Sequence, residues 1–121
     1  DSGGAGTHRG GAGVTRVIRF LDDGEFLTVV KKTKSPPWAL NGGVQPAANR
    51  VTLFPGTDRE RDVSTQRTPV KAGDRIRVMS AGGGGHGAPA GRSREAIAAD
   101  IAEGYVTLAA AKRDYGYEPD A

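Results

Sequence analysis

The sequence predicts an α+β chain, with a small antiparallel β unit (a hairpin plus further strands) followed by a C-terminal helical hairpin. Three observations lead there. Short β-branched and aromatic runs are separated by Gly, Pro and Asp turn signals through most of the chain. Glycine is abundant, at 19 of 121 residues, and it clusters in stretches unsuited to a helix or a central strand. Beyond Arg92 the pattern changes to Ala-rich segments with capping residues in front and glycine behind. The expected organisation is therefore a glycine-rich β region over residues 1–90 and a helical hairpin over residues 91–121, together one domain or part of a larger subunit.

Residues 1–13 form a glycine-rich entry. Val14 to Leu21 and Glu25 to Lys32 flank Asp22-Asp23-Gly24, and two such runs around an Asp-Gly turn are a hairpin signal. Pro36-Pro37 then fix an extended path into Trp38-Ala39-Leu40, and Asn41-Gly42-Gly43 permits a reversal with positive φ. Arg50 to Phe54 reads as a short strand closed by Pro55-Gly56, and the polar residues 57–68 as a variable surface loop. Lys71 to Asp74 is a turn. In the strand Arg75 to Met79, Ile76 and Val78 share one face and Arg75 and Arg77 the other. Ser93 can cap a helix running through Ala102, with Ile97 and Ile101 on its buried side and Gly104 at its end. Thr107 can cap a second helix, where Leu108, Ala111 and Tyr115 share a face and Gly116 closes it.

Bulk properties narrow the function classes. An apolar fraction of 36% is low for a globular chain and suits a loop-rich β domain or a piece that buries surface against neighbours. With no cysteine there is no disulfide framework and no thiolate metal site, and a reducing, cytoplasmic setting is the simpler expectation. No stretch approaches the roughly 20 apolar residues of a membrane helix, so no membrane partner is expected. The net charge is +3, but 17 basic residues are interleaved with 14 acidic ones and form no basic-aromatic repeat. That pattern argues against a nucleic-acid partner.

Gly82-Gly83-Gly84-Gly85-His86-Gly87 formally matches the dinucleotide-binding pattern G-x-G-x-x-G. The following helix begins only near Ser93, beyond Pro89, and no βαβ unit with an acidic ribose ligand follows. Gly91-Arg92-Ser93 also fails as a phosphate loop, because His86 and Arg92 stand where glycine and lysine are required. The four glycines instead permit close backbone approach by another chain or a substrate, and their N–H groups can hold an anion. A flexible loop without a ligand is the plainer alternative. His8 and His86 lie in separate glycine-rich stretches with no carboxylate at ligand spacing, so no complete metal site is expected, though either can lend one group to a site built elsewhere. Arg9, flanked by Gly10 and Gly11, suits a fork to a carboxylate or phosphate, and a buried structural salt bridge explains it equally well. The candidate cleft or interface residues are thus Arg9, Gly10, Gly11, Gly82, Gly83, Gly84, Gly85 and His86, with no catalytic residue assigned.

These motifs resemble a known family. Asp1-Ser2-Gly3-Gly4-Ala5-Gly6 with Arg9-Gly10-Gly11 and Gly13 is similar to the D-S-G-G-A-G-x-x-R-G-G-x-G stretch of hydantoinase B/oxoprolinase proteins. Pro37-Trp38-Ala39-Leu40 with Gly42-Gly43 resembles that family's P-aromatic-G-aliphatic-x-G-G turn, with Ala39 in place of a usual glycine. Gly73-Asp74 leads to the four glycines as in the family, and Arg92, Asp100, Gly104-Tyr105-Val106, Ala111 and Tyr115-Gly116 match its closing motif. His86 stands where an aromatic residue is usual, and Ala88 where G-D-P would put aspartate. The resemblance implies the C-terminal portion of a hydantoinase B-type subunit of several hundred residues. It further implies an assembly that couples ATP hydrolysis to opening a cyclic amide such as 5-oxoproline or a hydantoin. Related assemblies carboxylate ketones, and a non-catalytic assembly module is a further reading. ATP and a divalent metal are implied for the full assembly, ATP being handled by a hydantoinase A-type partner. This segment then supplies at most one wall of the site.

Overall fold

The computed structural model of the chain describes residues 1–119. Among them lie the strands β1 (Thr15–Arg19), β2 (Gly24–Val29), β3 (Arg50–Leu53), β4 (Arg61–Val63), β5 (Thr65–Val70) and β6 (Arg75–Met79). A 3-10 turn at Pro89–Gly91 and two helices follow, α1 (Arg94–Ala102) and α2 (Leu108–Tyr115). All strand pairs are antiparallel, so the α+β class stands. None of the described helices is long and apolar enough to cross a membrane. The chain is arranged as two compact units. One comprises Asp1–Gly13, Pro36–Ala47 and the residues from Ala81 onward; the other comprises Val14–Ser35 and Ala48–Ser80. The compositional boundary at residue 90 lies inside the first of these.

The second unit holds all six strands, in a four-stranded sheet of order β1-β6-β3-β4 and a two-stranded sheet β2-β5. The hairpin expected across Asp22-Asp23-Gly24 does not form. β1 pairs with β6, placing Ile18 opposite Ile76, while β2 pairs with β5. Neither Asp23 nor Gly24 adopts the positive φ that a two-residue hairpin turn requires, so the turn passes the chain from one sheet to the other. The expected loop over residues 57–68 is likewise corrected, because it contains β4 and much of β5. Thr68 and Val70 are buried at alternate positions of β5 while Arg67 and Pro69 face outward, so strand alternation is present beneath the polar composition. Leu53, Phe54, Val70 and Ile76 make the core, with Ile18, Phe20, Phe26, Val63 and Val78 packed against it. Below it, Asp74 closes the Lys71–Asp74 turn by accepting the Lys71 N–H at 2.8 Å, and that bond holds its carboxyl below the usual carboxylate range.

The first unit is built differently. Three extended stretches, around residues 2–11, 38–44 and 82–87, lie backbone against backbone. Gly4 N–H donates to Gly83 O at 2.9 Å and Gly83 N–H to Gly11 O at 2.9 Å; Val44 N–H donates to Ala5 O at 2.7 Å and Gly85 N–H to Val44 O at 3.1 Å. Side chains have no room at these crossings. A Cβ on Gly84 would stand 1.9 Å from Trp38 O, on Gly85 1.9 Å from Ala5 O, and on Gly10 1.9 Å from Gly83 O.

The helices end this unit as their caps dictate. The Ser93 and Thr107 hydroxyls accept the N–H groups of Ala96 and Ala110, each at 3.2 Å. The Asp1 carboxylate receives both the Thr107 N–H and its hydroxyl, at 2.7 and 2.8 Å. Gly116 closes α2 with φ +64°. Ile97, Val106, Ala110 and Ala111 form a small core, whereas Leu108, expected on the same face as Ala111, is exposed.

A buried charge cluster links helix to glycine stretch. Asp100 on α1 receives Arg92 Nε at 3.0 Å and Arg92 Nη2 at 2.7 Å, and Arg9 Nε lies 3.2 Å away as an ion pair without an aligned hydrogen bond. Arg92 Nη1 also donates to Thr7 O at 3.2 Å, and the Arg9 guanidinium stacks over the Tyr105 ring at 4.7 Å. The buried Tyr115 hydroxyl sits beside the Gly6 backbone, and burial pushes its pKa up.

This packing sets the cost of substitution at each point. Gly84→Ala is expected to destabilise the chain by about 3 kcal/mol or more, since backbone must move to admit the methyl. Gly11→Ala, with nothing within 4 Å of the added carbon, is expected to stay within about 0.5 kcal/mol of the parent. Urea unfolding of the two variants makes the comparison. Asp100→Asn leaves two part-buried guanidinium groups uncompensated and is expected to cost about 3 kcal/mol, again by urea titration; an unchanged midpoint would show that the cluster does not stabilise the fold.

Candidate functional site

Each of the eight residues singled out in the sequence lies in the first unit. Gly82, Gly85 and Gly10 are buried in the seam, Gly84 is half-buried within it, and Gly11 and Gly83 reach the surface. The two polar members are not brought together. Arg9 turns inward to Asp100, the structural salt bridge of the two alternatives its sequence context leaves open. His86 faces solvent. Successive side chains of an extended stretch point to opposite sides, so His8 faces out where Arg9 faces in.

On that outer side His8 and His86 meet. Their main chains exchange both hydrogen bonds of a bridge, His8 N–H to His86 O and His86 N–H to His8 O, each at 3.0 Å. Their rings stand 5.9 Å apart at 43°. Asn41 meets His86, its side-chain amide 2.8 Å from His86 Nε2. Asn41 and Gly42 hold the reversal with φ +51° and +87°, closed by Gly43 N–H donating to Leu40 O at 3.0 Å. Trp38 and Leu40, 80% and 60% exposed, leave an apolar strip on the stretch that carries Asn41.

The glycine run does not fit a nucleotide. The N–H groups of Gly83, Gly85, His86 and Gly87 already donate to the carbonyls of Gly11, Val44, His8 and Leu40, so they are not free to cradle a phosphate. Among the described residues no group of three His, Cys, Asp or Glu gathers to hold a metal ion. The close-approach reading of the run therefore applies, and what approaches is the chain's own backbone.

Two residues escaped sequence reasoning as members of local clusters. Asp100 lies three residues after Ile97 and one before Ile101, a carboxylate on the buried stripe of α1. That placement was the available signal for a buried ion pair. Asn41 was legible only as a turn residue. Ala88 occupies the N-cap of the 3-10 turn and makes no side-chain cap bond, so an aspartate there would serve as a cap.

Comparison with known proteins converges. The hydantoinase B/oxoprolinase family profile matches residues 1–89. The beta subunit of the Pseudomonas jessenii caprolactamase is 31% identical over 123 residues, covering 96% of this chain and 21% of that protein. A protein of Pseudomonas sp. (strain NS671), assigned as the B-type subunit of a D-/L-hydantoinase, is 28% identical over 92% of this chain and 19% of its own length. Among solved structures, the ATP-dependent caprolactamase from Pseudomonas jessenii superposes with a TM-score of 0.81 at 28% identity, over 100% of this chain and 22% of that one. Nucleotide-free acetone carboxylase gives 0.79 at 23% identity, over 95% and 20%, a likeness of fold. The chain thus spans about a fifth of the length of these relatives. From the family match and these relatives together, the chain belongs to the hydantoinase B/oxoprolinase family.

Proposed function

We propose that this chain is the C-terminal module of the B-type subunit in an ATP-dependent enzyme that opens cyclic amides. The carrying observation is the likeness over nearly its whole length to the beta subunit of a caprolactamase. Such likeness favours lactam opening over ketone carboxylation, because the acetone carboxylase match speaks to fold alone.

The chemistry divides between parts. A lactam is a poor electrophile, and transfer of the ATP γ-phosphoryl group to its oxygen, releasing ADP, turns that oxygen into a leaving group. Water then adds at the carbon, the ring nitrogen leaves as the amine so that the C–N bond opens, and a second water hydrolyses the resulting acyl phosphate to carboxylate and phosphate. Phosphate ligands and a metal are required in one pocket. In this chain the glycine-run amides of Gly83, Gly85, His86 and Gly87 are already engaged, and the described residues gather no group of three His, Cys, Asp or Glu; nucleotide handling is assigned to a hydantoinase A-type partner, and the assembly to the cytoplasm. This chain's share is a rigid wall: the glycine seam fixes the stretches bearing His8, Asn41 and His86, and the Asp100 cluster fixes α1 against them. Of the candidate residues, Gly11, Gly83 and His86 reach the surface and belong to the face offered to the rest of the larger polypeptide.

Coupled measurement of phosphate release and ring opening tests this reading. With the A-type partner and the remainder of its own polypeptide supplied, caprolactam, 5-oxoproline or a hydantoin is expected to stimulate ATP hydrolysis and give the linear product. The isolated 121-residue chain is expected to give neither. Turnover by the isolated chain would overturn the proposal.

A further inference from the structure

We propose that His8, His86 and Asn41 form a surface site for a divalent cation of the kind that prefers imidazole, such as Zn²⁺ or Ni²⁺. It is separate from any metal that accompanies a nucleotide: Mg²⁺ asks for hard oxygen ligands, and this cluster offers two imidazoles and one amide.

The geometry carries the assignment. His8 and His86 occupy a hydrogen-bonded antiparallel pair, so both side chains leave the same side of the backbone. Their rings are 5.9 Å apart and exposed, a centroid separation compatible with two imidazole nitrogens each about 2 Å from one ion. Asn41 supplies the third position. Its amide nitrogen and oxygen are interchangeable in placement, and the oxygen in that position would lie 2.8 Å from His86 Nε2. Two ligands sharing one cation at the usual zinc–ligand distances stand roughly 3 Å apart. The spacing is therefore that of neighbouring ligands.

The three backbones are also pre-positioned. Leu40 N–H donates to Gly85 O at 3.1 Å and Gly87 N–H to Leu40 O at 3.0 Å, so the reversal bearing Asn41 is tied to both sides of His86. A Cβ on Gly43 would lie 2.1 Å from Gly85 O, which records how closely these stretches meet. Little conformational freedom is left to lose on binding. None of the three ligands is an anion, so a bound dication keeps its full charge and leaves positions open to water or an anionic group.

The test uses the whole chain, whose histidines number two and give two resolvable imidazole Hε1 signals in proton NMR. Titration with ZnCl₂ is expected to shift both signals together, and calorimetry to give one saturable site; MgCl₂ is expected to do neither. His8→Gln and His86→Gln are each expected to weaken Zn²⁺ binding by at least about tenfold, and Asn41→Ala by a few-fold. Far-UV circular dichroism and thermal melting establish that each variant is folded. Unmoved signals in the parent, movement of one histidine alone, or undiminished affinity in folded His8→Gln would each overturn the site. The parent titration decides even where a variant fails to fold. This outcome is independent of whether the assembly opens lactams.

Discussion

Close approach of peptide groups is the constraint on which the first unit depends. Its apolar core is small, resting on Ile97, Val106 and two alanines, and cannot by itself order three long irregular stretches. Main-chain hydrogen bonds between those stretches take that role, each contributing about 1 kcal/mol net. The stretches come close enough to form them because Cβ atoms are missing at the tightest crossings, Gly10, Gly84 and Gly85. Glycine costs conformational entropy on folding, and the density of bonds offsets it. The low apolar fraction of the chain, 36%, follows from a unit held together by backbone as much as by side chains.

Polarity is then sorted by alternation. On the stretch through residues 7–10 the inward position is taken by Arg9, which needs a counter-charge, and α1 provides Asp100. With Arg92 on the same carboxylate, two cations share one anion; the Tyr105 ring lies under Arg9 and the Thr7 carbonyl takes one Arg92 N–H. The arrangement locks the register of the seam relative to the helix. The outward position is taken by His8, which the seam sets beside His86. Buried order and surface chemistry therefore come from one run of residues.

Much of this was legible. Helix limits followed from Ser93, Gly104, Thr107 and Gly116 because caps are local interactions. The reversal at Asn41-Gly42 followed from the φ those residues tolerate. Strand pairing was not legible: Asp22-Asp23-Gly24 marks a turn, but the partners of β1 and β2 are chosen by distant residues such as Ile76 and Thr68. β4 and β5 hid within polar residues because one face of each strand meets solvent. The ordered motifs carried the family, since glycines at sites of forced contact leave a sharp pattern. The meeting of His8, Asn41 and His86 left none, because it joins three separate segments through backbone pairing.

The central claim is that the run Gly82 to Gly87 is an internal seam in which the amides of Gly83, Gly85, His86 and Gly87 are already engaged. Amide hydrogen–deuterium exchange on the intact chain measures this directly. Gly83, Gly85, His86 and Gly87 are expected to exchange at least about a hundredfold more slowly than unstructured peptide, because exchange at an internal bond requires opening of the surrounding structure. Exchange at the free-peptide rate, or protection arising only when phosphate or a nucleotide is added, would show an open anion-binding loop and contradict the claim.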